Sequence, residues 1–178
     1  MKGFKIFLIC LVFGGVYFYN TNWFQASFMS DRFHQDIFSA PFDVTRKGEV
    51  LSIPLKYKFR TCYSLALAVP DKNLYYDTSV GPGTLRYRFV SKGQIIAEGL
   101  TFPPARRHFA RYREVTLINI LVFDLPFPGA GNDLSLELTV ETPMTFLNEY
   151  SGKINCSIRP NYSAKAGRCY DEELKIAY

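Results

Sequence analysis

The stretch LSIPLKYKFR, residues 51–60, decides the fold class because its apolar and polar residues alternate one by one. The apolar positions are Leu51, Ile53, Leu55, Tyr57 and Phe59. A period of two is typical of a β-strand that buries one face and exposes the other to water. Pro54 cannot donate a hydrogen bond to a neighbouring strand, so it predicts an edge strand or a bulge. The stretch therefore predicts an amphipathic strand at or near a sheet edge.

Further segments carry strand signals of two kinds. Cys62–Val69 and Val115–Phe123 are apolar on both faces, which predicts central strands. Residues 85–97 alternate on either side of a turn at Ser91, Lys92 and Gly93, which predicts a hairpin. Residues 134–141 alternate again, and Lys153–Ile158 forms the last predicted strand. Many short strands with few helical turns predict an all-β protein, an antiparallel β-sandwich of immunoglobulin-like arrangement.

The strand signals set the domain boundaries. We predict a β-sandwich domain over residues 40–160, preceded by a linker at 25–39 and followed by a C-terminal tail at 161–178. Residues 1–24 are a signal anchor or a signal peptide. About 150 residues beyond this segment suffice for one domain with a sizeable core.

The amino-terminal segment resembles an export signal. Lys2 and Lys5 precede an apolar run from Ile6 to Tyr19. A helix from Phe4 to Phe24 would be about 31 Å long, which matches the thickness of a hydrocarbon core. With the lysines on one flank, the positive-inside rule places the amino terminus in the cytoplasm. We therefore expect a transmembrane helix through residues 4–24, a single pass of the cell inner membrane, and the C-terminal domain in the periplasm.

The alternative is a removed signal peptide. Cleavage near Ala26 and Ser27 would release a soluble periplasmic or secreted protein, but small residues at alternate positions are missing after the apolar run. The net charge falls from +5 to +3 when Lys2 and Lys5 are set aside. This mild charge and the export signal argue against a nucleic acid partner.

Three cysteines lie outside the apolar run, and an exported protein is expected to oxidise two of them. Cys156 and Cys169 flank a segment rich in turn residues, so we expect them to form the disulfide. Cys62 with Cys156 is the alternative, an inter-sheet bridge. Because no CxxC pair or histidine-containing ligand pair occurs, we expect no metal site and no cofactor.

The sequence contains no catalytic motif that we recognise. His34 and His108 are the residues that could exchange protons near neutral pH, and neither has a catalytic neighbour in the sequence. We expect that the protein is not an enzyme.

The sharpest local feature is a cluster of four arginines within eight positions, interleaved with aromatic residues. Guanidinium groups can hold carboxylates or phosphates bidentately, and aromatic rings supply contact area. A loop from Asp71 to Gly83 adds two tyrosines that could take part in recognition. The opposing interpretation is a solvated strand and a loop packed over the core. The predicted partner-binding residues are Arg106, Arg107, Arg111, Arg113, Tyr75 and Tyr76.

The stretch PFDVTRKG at residues 41–48, the amphipathic strand that follows it and FDLP at residues 123–126 resemble small exported bacterial β-sandwich domains of unknown function. Proteins of similar design look like periplasmic immunity proteins. The resemblance implies a protein that recognises another protein, a secreted effector or toxin, and neutralises it by steric occlusion. The alternative is a structural or assembly component of the cell envelope or a surface organelle, which pairs strands at an exposed sheet edge.

Overall fold

The computed structural model describes residues 2–59, 61–77, 80–125, 133–162, 164 and 174–175. They form two β-sheets, preceded by helices and connected by turns, loops and short 3-10 helices. The strands are β1 (Phe38–Pro41), β2 (Val50–Pro54), β3 (Cys62–Val69), β4 (Thr84–Ser91), β5 (Gln94–Leu100), β6 (Phe109–Tyr112), β7 (Val115–Asp124), β8 (Ser135–Thr142), β9 (Asn155–Pro160) and β10 (Leu174–Lys175). The helices are α1 (Lys2–Tyr19), α2 (Asn22–Phe28) and α3 (Ser30–Phe33), and short 3-10 helices cover Asn73–Tyr76, Arg106–His108 and Thr145–Tyr150.

The first sheet has the order β1-β9-β3-β7-β10, with β6 also pairing with β7. Its pairs are antiparallel except for β10, which runs parallel to β7. Both predicted central strands are confirmed, since β3 lies between β9 and β7 and is buried along nearly its whole length. A strand that is covered on both faces needs apolar or small residues at successive positions, and β3 has them.

The second sheet has the order β2-β8-β4-β5 and is antiparallel throughout. The predicted hairpin is confirmed as β4 and β5, and its turn holds Lys92 and Gly93 at φ values of 51° and 75°. Pro54 ends β2, which lies at the edge of this sheet as predicted. The predicted extension of this strand to Phe59 is wrong: the strand ends at Pro54, and Phe59 instead packs near α3.

The main core lies between the two sheets, so the described residues form a β-sandwich-like fold. Alternate residues of β2, β4 and β8 point inward, and fully buried members include Ile53, Leu85 and Leu136. Phe89 of β4 and Phe123 of β7 contact each other across the layers, with ring centroids 5.1 Å apart. The period-two pattern of the sequence therefore corresponds to a core with two inner faces.

A second, smaller cluster covers the outer face of the first sheet. Ala26 of α2 and Phe33 of α3 are buried there together with Cys62 and Val122. Phe33 also packs against Phe59, with ring centroids 5.0 Å apart. The segment that the sequence predicted as a linker thus contains two short helices that contact the sandwich, and β1 begins at its end.

No single helix among the described residues is long and apolar enough to cross a membrane by itself. Residues Lys5–Tyr19 of α1 and the helix α2 meet the requirement of length and composition together, but they are bent by 68° relative to each other. The predicted continuous helix to Phe24 is therefore interrupted. At this break, the side chains of Asn20 and Thr21 donate hydrogen bonds to the carbonyls of Val16 and Phe18, at 2.8 and 2.7 Å.

The predicted Cys156–Cys169 disulfide and its alternative Cys62–Cys156 are both wrong, because Cys156 is a free thiol. The side chain of Cys156 points from β9 into the main core and is fully buried, and this burial raises the pKa of the thiol. Cys169 lies outside the described residues. The turn-rich segment between the two cysteines did not predict their pairing, because the position of a residue along a strand decides on which face of the sheet its side chain projects.

Candidate functional site: an arginine and tyrosine patch

Four of the six predicted contact residues interact pairwise at one side of the first sheet. The guanidinium carbon of Arg106 lies 4.2 Å from the ring centroid of Tyr75, and Arg111 Nη1 donates to Tyr76 Oη at 3.1 Å. The two tyrosine rings meet edge to face, with centroids 5.2 Å apart. Segments separated by some thirty residues in the sequence therefore form one surface. We call it the arginine–tyrosine patch and define it by Tyr75, Tyr76, Arg106, Arg107, Arg111, Tyr112 and Arg113.

The β6–β7 hairpin supplies one half of the patch. Tyr112 pairs with Val115, so Arg113 and Glu114 form the tight connection between the strands. Arg113 has a φ of 53°, in the left-handed region that glycine adopts without cost and other L-residues adopt with strain. The Arg113 guanidinium carbon lies 5.3 Å from the ring centroid of Tyr112. A two-residue connection between antiparallel strands favours positive φ values, so the turn accounts for this backbone conformation of Arg113.

The 3-10 helix Asn73–Tyr76 supplies the other half and is held by Asp71. The Asp71 carboxylate accepts hydrogen bonds from Tyr150 Oη at 2.6 Å and from Asn73 N at 2.7 Å. The Asp71 carbonyl accepts from Thr116 Oγ1 of β7 at 2.7 Å, and Leu74 is buried in the main core. These contacts fix the loop against the sheet, so the two tyrosines are presented from a rigid base.

The same hydrogen bonds shift the titration of Asp71. The Tyr150 hydroxyl, and then the Asn73 amide, favour the charged carboxylate and lower the pKa of Asp71. Burial and the neighbouring carboxylate raise the pKa of Tyr150. The pair is therefore a tyrosine hydroxyl that donates to a carboxylate at neutral pH.

A salt bridge ties the two halves together. Lys72 Nζ lies 2.8 Å from Glu114 Oε2, joining the start of the 3-10 helix to the β6–β7 connection. The bond to Lys72 and its charge lower the pKa of Glu114, and Arg111 adds a smaller effect. The carboxylate nearest to the patch is thus already engaged by a lysine.

The charge of the patch is otherwise uncompensated. Among the described residues, none of Arg106, Arg107, Arg111 and Arg113 forms a salt bridge, and all but Arg106 are exposed. A guanidinium that stacks on a tyrosine keeps its charge and its donors directed outward. The arrangement can therefore bind carboxylates or phosphates on a partner.

Two further arginines do not extend this face. Arg86 and Arg88 lie on β4 in the other sheet, where Arg86 forms a salt bridge with Glu141 and Arg88 with Glu98. Their guanidinium groups are already matched by carboxylates across neighbouring strands.

The histidines contribute packing. His34 Nδ1 lies 3.3 Å from the Pro160 carbonyl, and the His108 ring packs against Phe102 with centroids 4.6 Å apart. The described residues contain no group of three or more histidines, cysteines or carboxylates that could hold a metal ion.

Sequence reasoning found the patch arginines and tyrosines but missed the residues that position them. Asp71, Lys72, Glu114 and Tyr150 interact over long separations in the chain, and no local pattern marks such pairs. The sequence signal for the patch was the cluster of arginines interleaved with aromatic residues.

Comparison with known proteins gives no assignment for this chain. No family model and no curated protein matches it. Among solved structures, the crystal structure of a protein from Sulfurospirillum deleyianum is similar, with a TM-score of 0.46 and 14% sequence identity, over 70% of this chain and 96% of that chain. We carry no property of that protein over to this one.

Proposed function

We propose that this protein is an envelope-located binding protein that recognises an acidic surface of another protein through the arginine–tyrosine patch. As an immunity protein it would neutralise a secreted effector or toxin by occluding it sterically. The observation that carries this proposal is a set of four guanidinium groups that form no salt bridge among the described residues, three of which, Arg106, Arg111 and Arg113, contact a tyrosine. Arginine and tyrosine are enriched in the energetically dominant parts of protein interfaces.

An anchor in the inner membrane agrees with the exposure of α1. Beyond Lys2 and Lys5, the residues of α1 are apolar around the whole helix, and large side chains such as Phe13 and Tyr17 are 71% and 77% exposed. A helix that is apolar on every side is unstable in water and requires lipid or a protein core. We place α1 in the bilayer as the spanning part of the segment predicted over residues 4–24, and the sandwich in the periplasm.

Retention of the segment, rather than cleavage, is supported by the packing of Ala26. This residue is fully buried against the outer face of the first sheet. Cleavage beside Ala26 would remove α1 and break α2, and with it a contact that covers Cys62 and Val122.

The immunoglobulin-like arrangement is part of the same proposal. Between β1 and β9, the connections cross from one sheet to the other except at the β4–β5 and β6–β7 hairpins. Frequent crossing between two antiparallel sheets is the kind of connection that immunoglobulin-like sandwiches have.

The position of the patch favours a protein partner over lipid head groups. Helices α2 and α3 pack beside Cys62, where β3 begins, whereas the helix that carries Tyr75 and Tyr76 follows Val69, where β3 ends. A strand of this length spans about 25 Å. An anchored sandwich would hold Tyr75 and Tyr76 well away from the bilayer.

The first test uses the full chain in uncharged detergent and a fluorescent oligo-aspartate peptide as the acidic probe. We expect binding that weakens as salt rises and that is lost when Arg106, Arg107, Arg111 and Arg113 are changed to Gln. The matched control changes Arg86 and Arg88 to Gln and should bind like the wild type. Equal binding by both variants would refute the patch as the site.

The second test addresses immunity. Deletion of the gene should make cells sensitive to a toxin encoded beside it and to no other envelope stress, and the patch variant should fail to restore protection. Protection by the patch variant at wild-type level would separate the toxin function from this surface.

A structural or assembly role is the second candidate, and the edge strand β5 favours it. Within the described residues β5 pairs with β4 alone, and its Ile95 and Leu100 are 53% and 56% exposed. An exposed apolar edge can accept a strand from another subunit. Replacing Ile95 with Lys should abolish assembly if this candidate is correct and should leave oligo-aspartate binding unchanged.

A further inference from the structure

Side-chain hydrogen bonds hold the bend between α1 and α2, which we call the elbow. Thr21 Oγ1 accepts from Phe24 N at 3.3 Å, which caps the start of α2. Gln25 Nε2 reaches back to the Tyr19 carbonyl at 2.7 Å, although Gln25 is only 5% exposed. The Tyr19 carbonyl at the end of α1 thus has a side-chain donor, and the carbonyls of Val16 and Phe18 accept from Asn20 and Thr21 side chains in addition to backbone amides. Satisfied carbonyls matter most where water is scarce.

Helix α2 has two unlike faces. Ala26 is buried against the first sheet, whereas Phe24 and Phe28 lie four residues apart on the opposite side and stack with centroids 4.9 Å apart. Trp23 packs against Phe28 and against Phe18 of α1, with centroids 5.9 and 5.7 Å apart. Phe28 is 66% and Trp23 51% exposed. An aromatic surface thus continues from the end of α1 along α2.

We infer that α2 lies along the membrane–water interface, with Trp23 and Phe28 among the lipid head groups, and that its buried face holds the sandwich at a fixed orientation. The inference rests on the anchor proposed above. Aromatic residues are enriched at this depth, and a short helix with one apolar face binds there in the plane of the membrane. Helix α1 spans about 27 Å, a few ångströms less than an average hydrocarbon core, so the bend would fall at the interface.

The chain contains a single tryptophan, so the fluorescence of Trp23 reports on α2 directly. The full chain is reconstituted into vesicles of phosphatidylcholine and phosphatidylglycerol that carry bromine either near the head group or near the bilayer centre. A second protein combines Trp23→Phe with Phe28→Trp and moves the probe along α2. A third combines Trp23→Phe with Val50→Trp and places it on an exposed strand edge of the sandwich, as the matched control.

For an interfacial α2, positions 23 and 28 both show blue-shifted emission, stronger quenching by shallow bromine than by deep bromine, and protection from iodide. Position 50 shows emission typical of water and is quenched by iodide. If position 28 behaves like position 50, α2 projects from the membrane and the inference is wrong. If deep bromine quenches both positions most strongly, α2 belongs to the span and the inference is also wrong.

Failure of the anchor itself has a different signature. Carbonate extraction of cell membranes would then release the full chain, and vesicles would not retain it. That result would overturn the anchor and the elbow together, whereas retention with an aqueous position 28 overturns only the elbow.

Discussion

Two groups of arginines in this molecule differ in the side chains that their guanidinium groups contact. Arg86 and Arg88 project from the second sheet and are paired with Glu141 and Glu98. Arg106 and Arg111 instead meet Tyr75 and Tyr76, which support the guanidinium groups without cancelling their charge. Only the first group therefore has salt-bridge partners among the described residues, and this difference is the basis on which we propose the second group as a binding surface.

The largest expected effect comes from removing the charge of one group at a time. Changing the four patch arginines to Gln should weaken oligo-aspartate binding about 100-fold, which corresponds to about 3 kcal/mol. Changing Arg86 and Arg88 to Gln should leave the affinity within about twofold, since these groups already bind carboxylates. Fluorescence anisotropy at fixed salt measures both. Equal losses would abolish the distinction between the groups.

The next largest effect concerns Asp71 and Tyr150, whose hydrogen bond holds the 3-10 helix that carries the patch tyrosines. Tyr150→Phe removes the hydroxyl that donates to Asp71 and should lower the free energy of unfolding by about 1 kcal/mol. The folded-state pKa of Asp71 lies below its ordinary value, so its contribution is present above the unfolded pKa and is lost as the pH falls through the folded one.

Denaturant unfolding between neutral pH and pH values below about 4 checks this linkage. The wild type should lose more stability on acidification than Asp71→Asn does. Identical acid sensitivity in the two proteins would show that Asp71 does not brace the patch.

A third prediction separates stability from binding. Arg113→Gly relieves a left-handed φ of 53° and should stabilise the protein by up to about 1 kcal/mol, while oligo-aspartate binding weakens. Lys92→Gly is the matched control, because Lys92 has a φ of 51° in the β4–β5 turn of the other sheet. It should change stability in the same direction and leave binding unchanged. Unaltered binding by Arg113→Gly would remove Arg113 from the patch.

The smallest effect belongs to the paired arginines. The double-mutant cycle of Arg88→Gln and Glu98→Gln should give a coupling of about 0.5 kcal/mol or less, because both side chains are substantially exposed. Thermal or denaturant unfolding at low and high salt measures it. A coupling several times larger would mean that these arginines stabilise the sheet strongly.

Much of the β-sandwich was predictable, because a strand with one buried face writes its period directly into the sequence. Strands β4 and β8 are examples. The short strands β1 and β10 escaped prediction, since two to four residues are too few to show alternation. The stop of β2 at Pro54 also escaped, because Leu55 and Tyr57 still pack in the main core beyond the strand and only Phe59 joins the smaller cluster.

The cysteines show the same limit. Their pairing depended on which face of β9 carries Cys156, and spacing in the sequence does not contain that information. With Cys156 buried and free, Cys62 and Cys169 are the cysteines outside α1 that remain for a disulfide. The patch arginines were predictable from composition, whereas their tyrosine partners at 4.2 and 3.1 Å required the fold.

The most direct test observes each guanidinium group separately. Nitrogen-15 spectra of the arginine Nε–Hε groups, recorded on the full chain in lipid nanodiscs, would be followed while oligo-aspartate is added. The account predicts that the signals of Arg106, Arg107, Arg111 and Arg113 shift together with one affinity, while those of Arg86 and Arg88 stay in place. Shifts of equal size in both groups, or in Arg86 and Arg88 alone, would contradict it.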